Sequence, residues 1–174
     1  MSNVFYGTKC IKAQAMTRLE YCHYRGWAVP AGEDGSDAGY LVEYVDGGAP
    51  NHPDHDGYIS WSPADVFDRA YQPSGSMNFG HALMAIKDGH KVARSGWNGK
   101  GMWIAYTPGS DFPAAAARPG HAAKHRAEEV GMGGVVFLLP HIDMRAADGS
   151  MVIGWLASQT DMLAEDWMIV EGSA

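Results

Sequence analysis

The chain has 174 residues, 46% of them hydrophobic, and a formal net charge of -7. That length accommodates one ordinary domain or two small ones around a buried core. The negative balance argues against a non-specific grip on duplex nucleic acid, which depends on many lysines and arginines displacing counterions, yet leaves room for one small anion held locally.

The start, Met1 to Phe5, lacks the charged and apolar regions of a signal peptide, and the longest apolar runs, such as Val135 to Leu139, are far short of the roughly 20 residues that span a bilayer. No membrane association is expected, and a cytoplasmic protein is. Cys10 and Cys22 are too few and too widely spaced for a zinc knuckle or a CxxC redox motif, and both are read as reduced.

The first half reads as strands and turns. Tyr40 to Val45 has strand-like β-branched and aromatic content closed by Asp46-Gly47-Gly48, and Gly57 to Trp61 forms a second strand. Between them, His52 and His55 stand three apart with acids beside them. Pro53 and Gly57 make this a turn rather than a helix face, so a solvated loop is expected in preference to a metal site. Ser62 and Pro63 suit the N-cap and first position of a short helix that ends near Tyr71, with Val66, Phe67 and Ala70 as its buried stripe. Gln72-Pro73-Ser74-Gly75-Ser76 has linker composition. Residues 1-73 therefore form a strand-rich first module and residues 77-174 a second.

In the second module Asn78 caps a helix whose apolar positions Phe79, Leu83 and Ile86 recur at intervals of four and three, ending at Gly89. Lys91 to Ser95 is a strand, Gly96 to Gly101 a loop in which Asn98-Gly99 supports a tight reversal, and Met102 to Thr107 the returning strand. Residues 108-134 exceed an ordinary connection and read as a lid or mobile loop, with a helix over Ala122 to Val130. Strands from Val135 to Met144 and from Met151 to Trp155 are joined by the hairpin signal Ala146-Ala147-Asp148-Gly149. Ser158 and Asp161 then cap one helical turn before a final strand from Asp166 to Val170. The fold class expected is α+β: two small modules, the C-terminal one a helix packed on a small antiparallel β-sheet.

Four of the six tryptophans fall in two short polar, turn-rich segments, Arg94 to Trp103 and Gly154 to Trp167. Flat apolar faces beside short polar groups suit a nucleotide-like ligand. Trp97, flanked by Gly96 and Asn98, needs something to cover it, whereas Trp167 alternates with Asp166 and reads more readily as core.

Met77-Asn78-Phe79-Gly80, the run from Lys91 to Met102, Pro140-His141-Ile142-Asp143-Met144 and the run from Trp155 to Trp167 resemble the second family of phage Thoeris anti-defence proteins. The motifs occur in family order over nearly all of the second module. Residues 111-133 match none of them. The resemblance implies a sponge that binds and sequesters, without cleaving, glyco-cyclic ADP-ribose made by Thoeris enzymes in the bacterial host cytoplasm. In some relatives the ligand is a cyclic dinucleotide of the CBASS type. It also implies a homotetramer with pockets between protomers, and no cofactor. Gly39 to Tyr44 and Gly57 to Pro63 are similar to a small domain recurring in phage proteins, to which no activity attaches.

For such a ligand, Trp97, Trp103 and Trp155 offer stacking surfaces worth about 1 to 3 kcal/mol per base. Asn78, Asn98, Ser158, Gln159, Thr160 and Asp161 can meet amine, hydroxyl and ring-nitrogen positions. Phe79, Ser95, Met102 and Met162 complete the expected lining. Arg94 is either the countercharge to phosphate, by virtue of its forked donors, or a structural ion pair. Asp161 either caps a helix or binds a ribose hydroxyl or an adenine amine, since a carboxylate beside pyrophosphate repels it. A hydrolase built on His141 and Asp143, and a phage structural protein, are the alternatives. The hydrolase lacks a supporting motif such as GxSxG, a P-loop or HExxH, whereas the strand-rich first module would suit the structural role.

Overall fold

A computed structural model describes Val4 and residues 7-170. Most of the N-terminal stretch used to judge a signal peptide, and residues 171-174 of the second module, lie outside the described residues. The chain divides into two compact units, Met1–Gln72 and Pro73–Ala174. Helices and antiparallel sheets in both make the fold α+β, as expected.

The first unit begins with a strand and a helix that no periodicity announced: β1 (Ile11–Ala15) and α1 (Arg18–Tyr24). Thr17 caps α1 in a reciprocal box with Glu20, which satisfies two of the amides a helix start leaves orphaned. Strands β2 (Gly39–Tyr44) and β3 (Tyr58–Pro63) complete a sheet of order β1-β2-β3, all antiparallel. Its core is Tyr21, Leu41 and Ile59, with Met16, Tyr24 and Trp61 packed against it. The Trp61 indole donates to the Met16 carbonyl at 2.9 Å.

Two expectations fail here. Ser62 does not cap the next helix, because it is held in the sheet opposite Tyr40; α2 (Ala64–Ala70) starts after Pro63 without a side-chain cap. Nor does α2 bury a stripe: Val66 is exposed, and Phe67 instead stacks on Tyr40 with centroids 3.9 Å apart. The histidine loop is not solvated either. Tyr24 stacks on His52 at 4.4 Å and its hydroxyl lies 2.8 Å from His55 Nε2, while His55 Nδ1 meets Glu43 at 3.1 Å. Glu43 also accepts from the Asp56 and Gly57 amides. The His55 hydrogen bond, followed by the Gly57 amide, holds this carboxyl below its ordinary value against the effect of burial. Among the described residues no group of three or more His, Cys, Asp or Glu is placed to hold a metal.

The second unit is built on α3 (Phe79–Lys87), whose N-cap Asn78 accepts from the His81 amide at 3.0 Å. Ala82, Ala85 and Ile86 bury its inner face. The helix packs on a five-stranded antiparallel sheet of order β10-β4-β5-β8-β9, comprising β4 (Lys91–Arg94), β5 (Trp103–Thr107), β8 (His141–Arg145), β9 (Met151–Val152) and β10 (Trp167–Val170). Val92, Ile104 and Trp167, each 0% exposed, form its floor.

The expected long strand from Val135 to Met144 breaks at Leu139-Pro140, where proline has no amide to donate. Its first part, β7 (Val135–Leu138), leaves the main sheet and pairs with β6 (Ser110–Pro113). With α4 (Ala122–Val130) and a 3-10 turn at Ala114–Ala116, this ribbon closes a separate core of Ala114, Ala127 and Val136. Residues 108-134 are therefore a packed substructure rather than a structureless loop. The Asn98-Gly99 reversal is also absent: the positive φ belongs to Gly101, at 72°, in a wider loop. The one-turn helix α5 (Gln159–Met162) forms with its Ser158–Asp161 capping box, as read.

A Cβ on Gly57 would fall on the Tyr44 carbonyl oxygen, so there is no flexible neighbour to yield. Gly57→Ala is predicted to destabilise the first unit by about 1 to 3 kcal/mol. In calorimetry its melting transition should fall while that of the second unit stays unchanged.

Candidate functional site

The two tryptophan-bearing segments meet through one carboxylate. Asp161, only 9% exposed, accepts on Oδ1 from Arg94 Nη1 at 2.8 Å and from the Trp97 indole at 3.0 Å. On Oδ2 it accepts from the Ser158 hydroxyl at 2.6 Å and the Ser158 amide at 3.2 Å. The acceptor capacity of a carboxylate is thus filled. Burial pushes this carboxyl up, but the hydrogen bonds from Ser158, Arg94 and Trp97 outweigh burial and hold it at about 2.

Arg94 bridges a second acid. Its Nε donates to Asp166 Oδ1 at 2.8 Å, and the other Asp166 oxygen takes the Gly96 amide at 2.7 Å and the Ser95 hydroxyl at 3.2 Å. The Arg94 hydrogen bond leads the causes that depress Asp166, and the two carboxylates together raise Arg94. Of the two readings of Arg94, the ion pair is the one realised. Asp166, which the sequence reading left out of the site, clamps the turn from Arg94 to Gly96; its place directly before Trp167 was the available signal.

Four aromatic rings converge beside this network. Trp97 lies edge-on to Trp155 at 6.3 Å and to Trp167 at 5.4 Å, and Phe79 reaches Trp167 at 5.5 Å and Trp155 at 6.5 Å. Trp97 is therefore not a bare turn tryptophan: Trp155 and Trp167 cover it, and all three pack on the α3 core. Trp167 is core, as its alternation indicated, and its indole donates to the Asp161 carbonyl at 3.0 Å. Asn98, Gln159, Thr160 and Met162 are exposed around the cluster, with Ser95 and Ser158 at its rim and Met102 half-buried beside Gly99. Asn78 remains at the head of α3.

One expected member lies elsewhere. Ile104 faces the α3 core, and successive strand residues point to opposite faces, so Trp103 lies on the far side of the sheet from Trp97 and Trp155. Sequence proximity had grouped what strand alternation separates. His141 and Asp143 lie on that far side as well. Asp143 accepts from Thr107 at 2.5 Å and the Gly154 amide at 3.0 Å, with His141 Nε2 3.4 Å away. Burial works against its ionisation, but these donors hold its carboxyl low. The pair ties β5, β8 and the 152-155 turn together.

A carboxylate depressed on folding stabilises the native state above its unfolded value, and that stabilisation disappears as pH falls through the folded value. For Asp161, lowered from 3.8 to about 2, the contribution is present at neutral pH and lost on acidification between those values. It is worth about 2 kcal/mol. Urea unfolding between pH 7 and pH 2 is expected to show Asp161→Asn less stable than wild type at neutral pH, with the difference shrinking towards pH 2.

A family model described as a Thoeris anti-defense 2-like domain matches residues 77–170, the segment that contains both tryptophan loops and every member of the Asp161 network. The protein named Thoeris anti-defense 2 from Bacillus phage SP01 is 40% identical over 94 residues, which span 54% of this chain and 94% of that relative. With more than half its length matched and the relative covered almost throughout, the chain belongs to the Thoeris anti-defense 2-like family.

Proposed function

We propose that the protein is a phage anti-defence sponge: it binds and sequesters, without cleaving, a cyclic nucleotide immune signal in the host cytoplasm. Glyco-cyclic ADP-ribose of Thoeris is the first candidate and CBASS cyclic dinucleotides the second. The observation that carries this reading is the joining of the 94-99 and 158-161 turns by the Asp161 carboxylate beside Trp97 and Trp155. Asn98, next to Trp97 in the chain, and Gln159 and Thr160, between Ser158 and Asp161, are exposed and have donors and acceptors for a base edge and ribose hydroxyls. Family membership and the name of the phage relative point the same way.

Capture without chemistry is consistent with how the candidate catalytic pair is used. Asp143 is engaged by Thr107 and the Gly154 amide, and His141 Nδ1 lies 2.8 Å from the Leu139 carbonyl, so both side chains have structural partners. The reading requires no cofactor. Assembly as a homotetramer with pockets between protomers is part of the proposal, supported by exposed Phe137, Leu139, Ile153, Leu156 and Leu163. So much apolar surface on a small module favours burial against other copies.

Purified protein incubated with glyco-cyclic ADP-ribose is expected to deplete it from solution and, on heating, to release it chemically unchanged. Recovery of ADP-ribose or another fragment by liquid chromatography overturns the reading. Replacing Asn98, Gln159 and Thr160 together by alanine is expected to weaken capture by at least tenfold while leaving the melting temperature and the oligomeric state unchanged.

A further inference from the structure

In the first unit, three side chains of the histidine loop and α1 converge in a way that hydrogen bonding alone does not complete. His55 points Nδ1 at the Glu43 carboxylate, 3.1 Å away, and its Nε2 turns to the Tyr24 hydroxyl at 2.8 Å. With the ring proton on Nδ1, Nε2 presents a lone pair. His52 turns Nδ1 to the same hydroxyl at 3.4 Å, and this nitrogen also accepts the Asp54 amide at 3.3 Å, so it too presents a lone pair. A phenol has one proton and cannot serve both. Two imidazole nitrogens and a phenol oxygen thus meet as electron-pair donors.

The surroundings suit a cation. Glu43, 7% exposed, is anchored by the Asp56 and Gly57 amides and orients His55 from behind, as a carboxylate behind a metal-ligating histidine does. Burial, then the Asp54 and Glu43 charges, raise the Tyr24 hydroxyl above its ordinary value, with Arg25 opposing them, so the two acids dominate the charge felt at this oxygen. Both histidine side chains are 15% exposed, which leaves an ion a way in from solvent. The spacing also fits. Donors around a tetrahedral zinc, each about 2.0 to 2.2 Å from it, stand about 3.3 Å apart. The 3.4 Å between Tyr24 and His52 matches that value, and the 2.8 Å between Tyr24 and His55 widens to it when an ion replaces the hydrogen bond.

We infer that Tyr24 Oη, His52 Nδ1 and His55 Nε2 bind a zinc ion, with solvent as the fourth ligand and Glu43 as the positioning residue behind His55. Tyr24 releases its proton to solvent as the ion enters. Imidazole nitrogens select zinc or copper over magnesium and calcium, which take oxygen ligands. The third donor is a phenol, so the site needs no third His, Cys, Asp or Glu. Asp54 Oδ2, 3.8 Å from His52 Nδ1, offsets the ion's charge from the solvent side. The ion's role is structural. It ties the end of α1 to the loop before β3 and, through Glu43, to β2, in a unit whose core cluster is Tyr21, Leu41 and Ile59. A core that small gains from a metal cross-link. All these residues precede the matched segment 77–170, so the site stands apart from nucleotide capture.

The test uses the full chain without an affinity tag, freed of metal by chelation and dialysis, with zinc chloride alone as probe. Calorimetric titration is expected to give one ion per chain, and zinc to raise the melting transition of the first unit, while magnesium chloride does neither. Tyr24→Phe keeps the ring stacked on His52 and removes only the donor. It and His52→Ala are each expected to weaken zinc binding tenfold or more, and Glu43→Gln to weaken it by about tenfold. With copper(II) as probe, the wild type is expected to show a phenolate-to-copper charge-transfer band that Tyr24→Phe lacks. Six histidines stand elsewhere in the chain and are the source of adventitious binding. A loss smaller than tenfold in Tyr24→Phe that is folded by circular dichroism overturns the inference, as does a wild type that takes up no zinc or shows no copper band.

Discussion

The second unit depends on the Asp161 carboxylate. A half-buried arginine, an indole N–H, a hydroxyl and an amide from two separate stretches of chain all donate to it. Each bond is individually modest, yet a buried acceptor satisfied on every side is costly to disturb, because breaking one member strands the others. The same residue closes the capping box of α5 and offers its carbonyl to the Trp167 indole. Helix cap, ion pair and aromatic core thereby become one cooperative unit.

Trp167 turns that polar hub into a packing constraint. Its side chain is fully buried, while its backbone exchanges hydrogen bonds with Met77 at 2.7 and 3.0 Å, so the start of α3 and the last strand are locked together. Phe79, Trp97 and Trp155 then have a fixed surface to lie against. The proposed capture surface, if assembled on such rigid neighbours, would need little reordering on binding, which would favour affinity.

Outside residues 108-140 the order of elements in the second unit was legible because its signals are local. Asn78 and Ser158 are capping residues with helical apolar spacing or a reciprocal acid behind them, and glycines at 89 and 149 mark stops and turns. The first unit was less legible: α1 has a complete capping box but only seven residues, too short for a convincing period, and Ser62 had the chemistry of a cap while the sheet required it as a strand residue. The histidine loop looked solvated because Tyr24, its stacking partner, is 28 residues upstream of His52.

For the candidate site, the sequence alone determined which residue types stand close in the chain: indoles beside glycines, a serine three residues before an aspartate, an arginine on a strand. Those short-range patterns follow from capping and alternation, which act over a few residues. Only the tertiary structure decided how the side chains were shared out. It paired Arg94 with two acids 67 and 72 residues away, folded Trp97 under cover, and turned Trp103 to the opposite face. Charge neutralisation and the burial of large apolar surfaces are long-range terms. Which carboxylate meets which cation, and which face of a sheet is covered, is settled when the chain closes on itself.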